Sequence, residues 1–282
     1  MERKSRKAGG VWRNLVITLV GWLGLMAAMR WLRFGVREIA EWATLCGAPA
    51  DVAKFFVGIS SNLLCVALIA AYGTARGRRL RGLGGGYLKG AAISLGMIAT
   101  IVMLTWLAGG VRVAGPGVGR FDAVEFVAVM VVAMSNIREE ALYRWWMLDE
   151  LKESIPTGWA VVVSSLLFGL AHCGNAHVTP LAVANLTLLG AFWALCYLRT
   201  GSFWIVAAMH TFWNFAQQRI FGLPMSGSAS DEGIVRMECV GEGIFATDGF
   251  GLEGNLATTL VLAVAVTIVA LGLRNKLPKQ SK

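Results

Sequence analysis

Long apolar stretches recur along this chain of 282 residues, and each is about the length of a membrane-spanning helix. A helix needs about 20 mostly apolar residues to cross the hydrocarbon core of a bilayer. Only 15% of the residues are charged and 56% are hydrophobic, which is too apolar for an ordinary soluble domain. The stretches predict an all-α, polytopic transmembrane helical bundle with about eight spans, near residues 14–32, 54–74, 88–108, 123–148, 158–174, 178–198, 202–221 and 255–273.

The loops between these stretches predict how the bundle is oriented. Basic residues precede the first span, separate the second from the third, and follow the last. An even number of spans puts these three clusters on one side, which the positive-inside rule makes cytoplasmic. We therefore expect both termini in the cytoplasm, the acidic segment 222–254 on the outer side, and a single integral membrane domain over residues 1–282 in the cell inner (plasma) membrane.

Charge and cysteine content narrow the function classes. The net charge is +9, but the basic residues lie at the ends of apolar runs and form no face with interleaved aromatics, so we expect no nucleic-acid partner. The five cysteines include no CxxC pair, which argues against a thiolate metal cage or a redox motif. Cys65 and Cys196 lie in apolar runs and are expected to be buried. A disulfide between Cys46 and Cys239 is an alternative left open.

Three ionisable residues lie close together inside the fourth apolar stretch. Ionisable side chains at bilayer depth cost roughly 3 kcal/mol or more each, so such a cluster indicates a functional site. Glu140 and Arg144 are four residues apart and share a helix face, in the better order for an ion pair. Their pairing would leave Glu139 without a local partner and able to act as a base. The alternative is that the cluster lies at the membrane interface and extends into water.

Two later stretches each contribute a histidine. His172 follows Phe168 at the end of a run typical of a buried helix, while His210 and Asn214 are four apart and share one helix face. With a rise of about 1.5 Å per residue, Glu139, His172 and His210 lie roughly 15, 20 and 12 Å from the cytoplasmic ends of their spans, so they could meet in one cavity. A satisfied core histidine, or a pair that only stabilises the bundle, is the alternative for each motif alone.

The order and spacing of these motifs resemble the CPBP family. Its members are the CAAX-protease and bacteriocin-processing, or Abi, intramembrane proteases, which include the type II CAAX prenyl endopeptidases. The resemblance extends from about Ser135 to Phe215 and includes residues 251–254. The matching motifs are EExxxR (Glu139, Glu140, Arg144), FxxxH (Phe168, His172) and HxxxN (His210, Asn214).

The resemblance implies an intramembrane endopeptidase with its catalytic motifs in residues 120–221. In that family the residue matching Glu139 acts as a general base, with the histidine matching His172, to activate water against a peptide carbonyl. The pair matching His210 and Asn214 is placed to stabilise the oxyanion.

The role of a metal is left open by these motifs. A metal-free glutamic mechanism is favoured, because Glu139 cannot readily serve as both ligand and base. The alternative is a zinc-dependent protease with His172, His210 and Glu139 as ligands. In the metal-free mechanism Glu140 and Arg144 support the helix and the local field.

The resemblance also implies which partners the protein has, and it leaves a second class of function open. We expect a peptide or protein substrate that is lipidated or membrane-anchored, together with the lipid bilayer. A non-catalytic immunity or scaffold protein of the same family is the rival, and a transporter is a further alternative. All of these motif positions are present, which favours an enzyme.

Overall fold

The computed structural model describes residues 8–78, 85–117, 123–230, 233–240, 243–246 and 249–274, and its regular structure is mostly helical. In chain order the elements are α1 (Ala8–Leu45), α2 (Ala50–Ala75), α3 (Tyr87–Leu107), β1 (Val111–Pro116), α4 (Ala123–Glu140), the π-helical segment π1 (Ala141–Leu148), α5 (Asp149–Ser154), α6 (Thr157–Leu170), α7 (Pro180–Thr200), α8 (Phe203–Phe215), the π-helical segment π2 (Ala216–Ile220), β2 (Val235–Cys239), a 3₁₀ turn (Leu252–Gly254) and α9 (Leu256–Arg274).

Five helices in the described part of the chain are long and apolar enough to cross a membrane: α1, α2, α3, α7 and α9. Helix α6 is apolar but has only 14 residues. Helices α4 and α8 are continued by π1 and π2. Each of the eight predicted stretches thus falls mostly on helix, while the count of eight spans stays a prediction. The basic clusters at the two termini lie outside the residues whose side chains are described, so the orientation also stays a prediction.

Large apolar side chains cover the outward faces of the long helices. Leu88 is 84% exposed and Ile268 63%, and many others on these helices are similarly open. Continuous apolar surface of this kind is rare on soluble proteins, whereas lipid chains cover it at no cost. The exposed surface therefore fits a bilayer environment.

Contacts divide the chain into two compact units, Met1–Leu80 with Ala123–Ala160, and Arg81–Asp122 with Val161–Lys282. In the first unit, glycines allow α2 to approach its neighbours closely. A Cβ built on Gly58 would lie 2.7 Å from Val131 of α4, and one on Gly73 would lie 2.6 Å from the ring of Trp145 in π1. Helices in lipid associate through such close packing, because lipid tails are as apolar as the helix surfaces.

A charged cluster joins the end of α2 to α5 in the same unit. Arg76 and Arg78 both bind the buried carboxylate of Glu150, at 2.5 and 2.8 Å, and Arg78 also binds Glu153. The hydrogen bond that Arg76 donates to Glu150 raises the pKa of Arg76 above its usual value. The contact agrees with the predicted alternation of spans, which puts these two segments on one side of the membrane.

In the second unit, α3 packs closely along α8. The hydroxyl of Ser94 donates a hydrogen bond of 2.7 Å to the carbonyl of Met209. A Cβ built on Gly90 would collide with the carbonyl oxygen of Ile205 and would lie 3.0 Å from the Cβ of Ala208. The position of α8 therefore depends on the absence of a side chain at Gly90.

Capping residues determine where α7 and α8 begin. The hydroxyl of Thr179 accepts a hydrogen bond from the amide of Ala182, and Pro180 occupies the first turn of α7. Gly201 then adopts a left-handed φ of 65°, which ends α7. Ser202 caps α8 by accepting from the amide of Ile205. A two-residue turn thus connects the two helices.

The structure adds one feature to the predicted all-α bundle, the antiparallel pair β1–β2. Arg112 opposes Glu238 in the register and binds it at 2.9 Å. Hydrogen bonds from Arg112 and then Arg236 lower the pKa of Glu238. The segment of β1 contains Gly115 and Pro116, residues that usually indicate a loop, so the strand had no clear signal in the sequence.

The cysteines largely follow the prediction. Cys65 and Cys196 are buried, as expected for small core residues. Cys46 is an exposed free thiol in the turn after α1.

The Gly90 contact gives a direct test of how α8 is held. We expect Gly90→Ala to destabilise the protein by about 1–3 kcal/mol, because the added methyl must push α8 away from α3. Gly96→Ala is the matched control on the same helix, since nothing lies within 4 Å of its Cβ position. The measurement is the apparent melting temperature in detergent. Equal melting temperatures for the two variants would show that the close approach of α3 to α8 at Gly90 does not contribute to stability.

Candidate active site

Glu140 and Arg144 form the predicted ion pair in the first unit. Glu140 is the last residue of α4, and Arg144 lies in π1. The Arg144 Nε lies 3.2 Å from the Glu140 Oε2, and the two side chains are 1% and 0% exposed. Removing one partner of a buried pair leaves an uncompensated charge, so each side chain depends on the other. The pair is a buried brace at the junction of α4 and π1.

Glu139 does have a local partner, which corrects the prediction. The Arg138 Nη2 lies 3.1 Å from the Glu139 Oε1, and Arg138 also donates to Asn62 and Ser135. Consecutive helix residues point about 100° apart, so the pairing was not expected, but the long arginine side chain bends back to its neighbour. The Glu139 side chain is 21% exposed. Of the two adjacent glutamates, it is the accessible one.

His172 lies in the turn that follows α6, in the second unit, and not within the helix as predicted. It is half-buried, and its Nδ1 lies 2.9 Å from the carbonyl oxygen of Phe168. A carbonyl only accepts, so Nδ1 of the neutral ring carries the proton. In that tautomer Nε2 has a lone pair and can take a proton. The local fold therefore leaves Nε2 as the ring nitrogen that can accept a proton.

His210 and Asn214 are both buried on α8, four residues apart as predicted. The His210 ring stacks on Trp193 of α7, with centroids 4.2 Å apart and an interplanar angle of 29°. Phe168 contacts both imidazoles, with centroid distances of 4.9 Å to His172 and 6.0 Å to His210. The second unit thus gathers both motif histidines around one aromatic ring.

Glu253 is a buried polar residue to which the sequence assigned no role, although residues 251–254 belong to the resemblance. Its carboxylate accepts hydrogen bonds from Trp213, Gln217 and Ser226. An isolated acid just before an apolar run, as in Gly251-Leu-Glu-Gly254, is the signal that could have singled it out.

A metal site needs several ligand side chains close together. Among the described residues, no group of three or more His, Cys, Asp or Glu side chains is placed to hold a metal ion.

Comparison with known proteins bears on the same part of the chain. The family model described as type II CAAX prenyl endopeptidase Rce1-like matches residues 122–216. This match supports assignment of the chain to the CPBP family of CAAX proteases. Neither the comparison with curated proteins nor that with solved structures finds a match. All seven motif residues lie inside the matched segment.

The CPBP assignment and the apolar helices together identify an integral membrane protein. The family implies a protease, and therefore a peptide or protein substrate met in a lipid environment.

The buried brace gives a second prediction, on stability. Arg144→Met leaves the Glu140 carboxylate without its ion-pair cation, and we expect a loss of about 3–5 kcal/mol. The double variant Glu140→Gln with Arg144→Met should recover part of this loss, because no buried charge is left uncompensated. Thermal unfolding in detergent measures both. If the double variant is no more stable than Arg144→Met alone, the stability loss does not come from the unpaired Glu140 carboxylate, and the proposed role of the ion pair is wrong.

Proposed function

We propose that this chain is an intramembrane endopeptidase that hydrolyses a peptide bond near the membrane, with Glu139 and His172 activating water and no metal ion. The observation that carries the proposal is the family match, because it covers all seven motif residues. The geometry of each unit supports it independently, since Glu139 and His172 are the accessible members of their motifs.

The proposed reaction begins with water held by the base. Glu139, acting with His172, takes a proton as the water oxygen adds to the peptide carbonyl carbon. The carbonyl oxygen becomes an oxyanion, which accepts hydrogen bonds from His210 and Asn214. Donors of this kind are commonly worth about 3 kcal/mol each in the transition state. The tetrahedral intermediate then collapses, the C–N bond breaks, and the leaving amine takes the proton back from the acid–base pair.

The supporting residues have distinct proposed roles. Glu140 and Arg144 neutralise each other, which keeps α4 and π1 joined without adding net charge to a low-dielectric region. Arg138 holds the Glu139 carboxylate in one orientation through the 3.1 Å contact. Trp193 supports the His210 ring from one face, so that its donor is aimed before substrate arrives.

The substrate is proposed only as a class. It is a peptide or protein held at the membrane by a lipid or a transmembrane anchor, in the inner membrane of the cell. A prenylated CAAX protein, a secreted peptide precursor and the C-terminal sorting tail of an anchored protein all meet this description.

The proposal is tested by removing the base. Glu139→Gln keeps the volume and loses the carboxylate, so we expect processing to fall at least about 100-fold, as for other acid–base residues. The measurement compares peptide termini in membrane fractions from cells with the native chain, with Glu139→Gln, and with no chain.

The matched control for this comparison is Glu41→Gln. It removes an exposed carboxylate that also pairs with an arginine, Arg37. Termini that depend on the chain should persist with the control and disappear with Glu139→Gln. If they persist with both variants at equal accumulation, or if no terminus depends on the chain, the catalytic role is wrong and a non-catalytic scaffold or immunity role is favoured.

Metal dependence is a separate prediction. We expect less than stoichiometric zinc in protein purified without chelator, and unchanged cleavage after treatment with EDTA or phenanthroline. The measurements are elemental analysis and cleavage of the precursor that the comparison of termini identifies. Zinc near one equivalent, with cleavage lost on chelation and restored by zinc, would replace the metal-free mechanism.

A further inference from the structure

The carboxylate of Glu253 is buried and accepts three hydrogen bonds from neutral groups. The residue is 2% exposed, in the 3₁₀ turn that precedes α9. Its Oε1 accepts from the Trp213 Nε1 at 2.9 Å and from the Gln217 Nε2 at 3.2 Å, and its Oε2 accepts from the Ser226 hydroxyl at 2.5 Å. A buried carboxylate is costly unless such donors surround it, so each of these contacts orders both partners.

Two of the donors belong to the helix that carries the proposed oxyanion residues. Trp213 lies directly before Asn214 on α8, and Gln217 lies in π2, which continues the same helix. The Trp213 ring also contacts Trp193 edge-on, with centroids 6.4 Å apart, and Trp193 is the ring on which His210 stacks. The carboxylate therefore restrains this helix on both sides of Asn214.

The third donor leads to the turn that carries His172. The carbonyl of Ser226 accepts a hydrogen bond of 2.9 Å from the side chain of Asn175. The amide of Asn175 in turn donates to the carbonyl of His172 at 3.0 Å. Ser226 has a φ of 47°, which is unfavourable for a residue with a side chain, so its neighbours must hold it there. The Ser226 hydroxyl bond to Glu253 is such a restraint.

The backbone of Glu253 is fixed as well. The side chain of Asn185 on α7 donates to the carbonyls of Glu253 and Asn255, at 2.8 and 2.9 Å. Thr259 on α9 donates to the Asn185 oxygen at 2.7 Å. The carboxylate is thus presented from a rigid base, which is what a group that positions others requires.

We propose that Glu253 is a positioning residue, whose single carboxylate holds the helix of His210 and Asn214 and the turn of His172 in one arrangement. This inference rests on the proposed function. It assigns Glu253 no contact with substrate. Its contribution is to keep the proton-accepting Nε2 of His172 and the oxyanion donors of α8 at a fixed spacing, because displacements of about 1 Å can cost about 100-fold in rate.

The test combines two variants with one matched control. Glu253→Gln turns one acceptor oxygen into a donor and breaks the set of three. Ser226→Ala removes only the hydroxyl that binds Glu253, and with it the connection through Ser226 to the turn of His172. Glu238→Gln removes an exposed carboxylate from the same connection between α8 and α9, where its partners are Arg112 and Arg236.

The readouts separate positioning from folding. The substrate is the precursor that the comparison of peptide termini identifies. We expect Glu253→Gln to lower kcat for this substrate at least tenfold and Ser226→Ala to lower it several-fold, with KM unchanged in both variants. Hydrogen exchange should rise in residues 171–177 for both variants, and in residues 210–217 for Glu253→Gln alone. Glu238→Gln should match the native chain in rate and exchange.

Three outcomes would overturn the inference. One is native kcat for Glu253→Gln in protein that accumulates and melts normally. Another is a loss of activity that only follows the loss of folded protein. If Glu253→Gln fails to fold, the third outcome applies, which is a native kcat for the Ser226→Ala variant. Each differs from failure of the proposed function, in which Glu139→Gln itself continues to process the precursor.

Discussion

The ring of Phe168 contacts two imidazoles, His172 in the turn after α6 and His210 on α8, and the candidate site in the second unit is built around it. His172 is held through the Phe168 carbonyl as well as its ring, so one residue sets both the tautomer and the location of that histidine. His210 stacks on Trp193 at the other side. The stacked Trp193 covers one face of the His210 imidazole, which excludes water there and strengthens the hydrogen bonds that the ring edge can make. An apolar cluster thereby determines where the polar atoms act.

In low-dielectric surroundings a carboxylate needs a cation or hydrogen-bond donors beside it, and three glutamates of this chain meet that need in different ways. Glu140 is neutralised by Arg144 with both side chains buried, which makes the pair a structural element. Glu253 is satisfied by neutral donors from three segments and joins those segments together. Glu139 has a cation beside it, Arg138, but keeps a partly exposed side chain. Only the last arrangement leaves a carboxylate oxygen that water could reach, so accessibility separates the two adjacent glutamates.

The sequence predicts contacts that lie within one helix better than those that join distant segments. The pair Glu140–Arg144 follows from a spacing of four residues, and each predicted apolar stretch falls mostly on helix. The π-helical geometry of π1 has no comparable local signal. The hydrogen bonds of Glu253 join residues 27 to 40 positions apart, and Arg112 reaches Glu238 across 126 positions. Such contacts depend on tertiary packing, which periodicity does not encode.

The distribution of accessibility also bears on whether the polar residues serve catalysis or only the fold. A polar cluster retained for stability alone would be expected to satisfy and bury all of its members, because partial burial carries cost without added packing. Here Glu140 and Arg144, which the proposal assigns to support, are buried. The residues assigned to water activation, Glu139 and His172, are partly open. A water-activating pair needs this arrangement, because the base must contact a water molecule, whereas the supporting ion pair is more stable when water is excluded. A purely structural role would not require the accessible positions to coincide with the proposed acid–base residues, so their coincidence favours the protease.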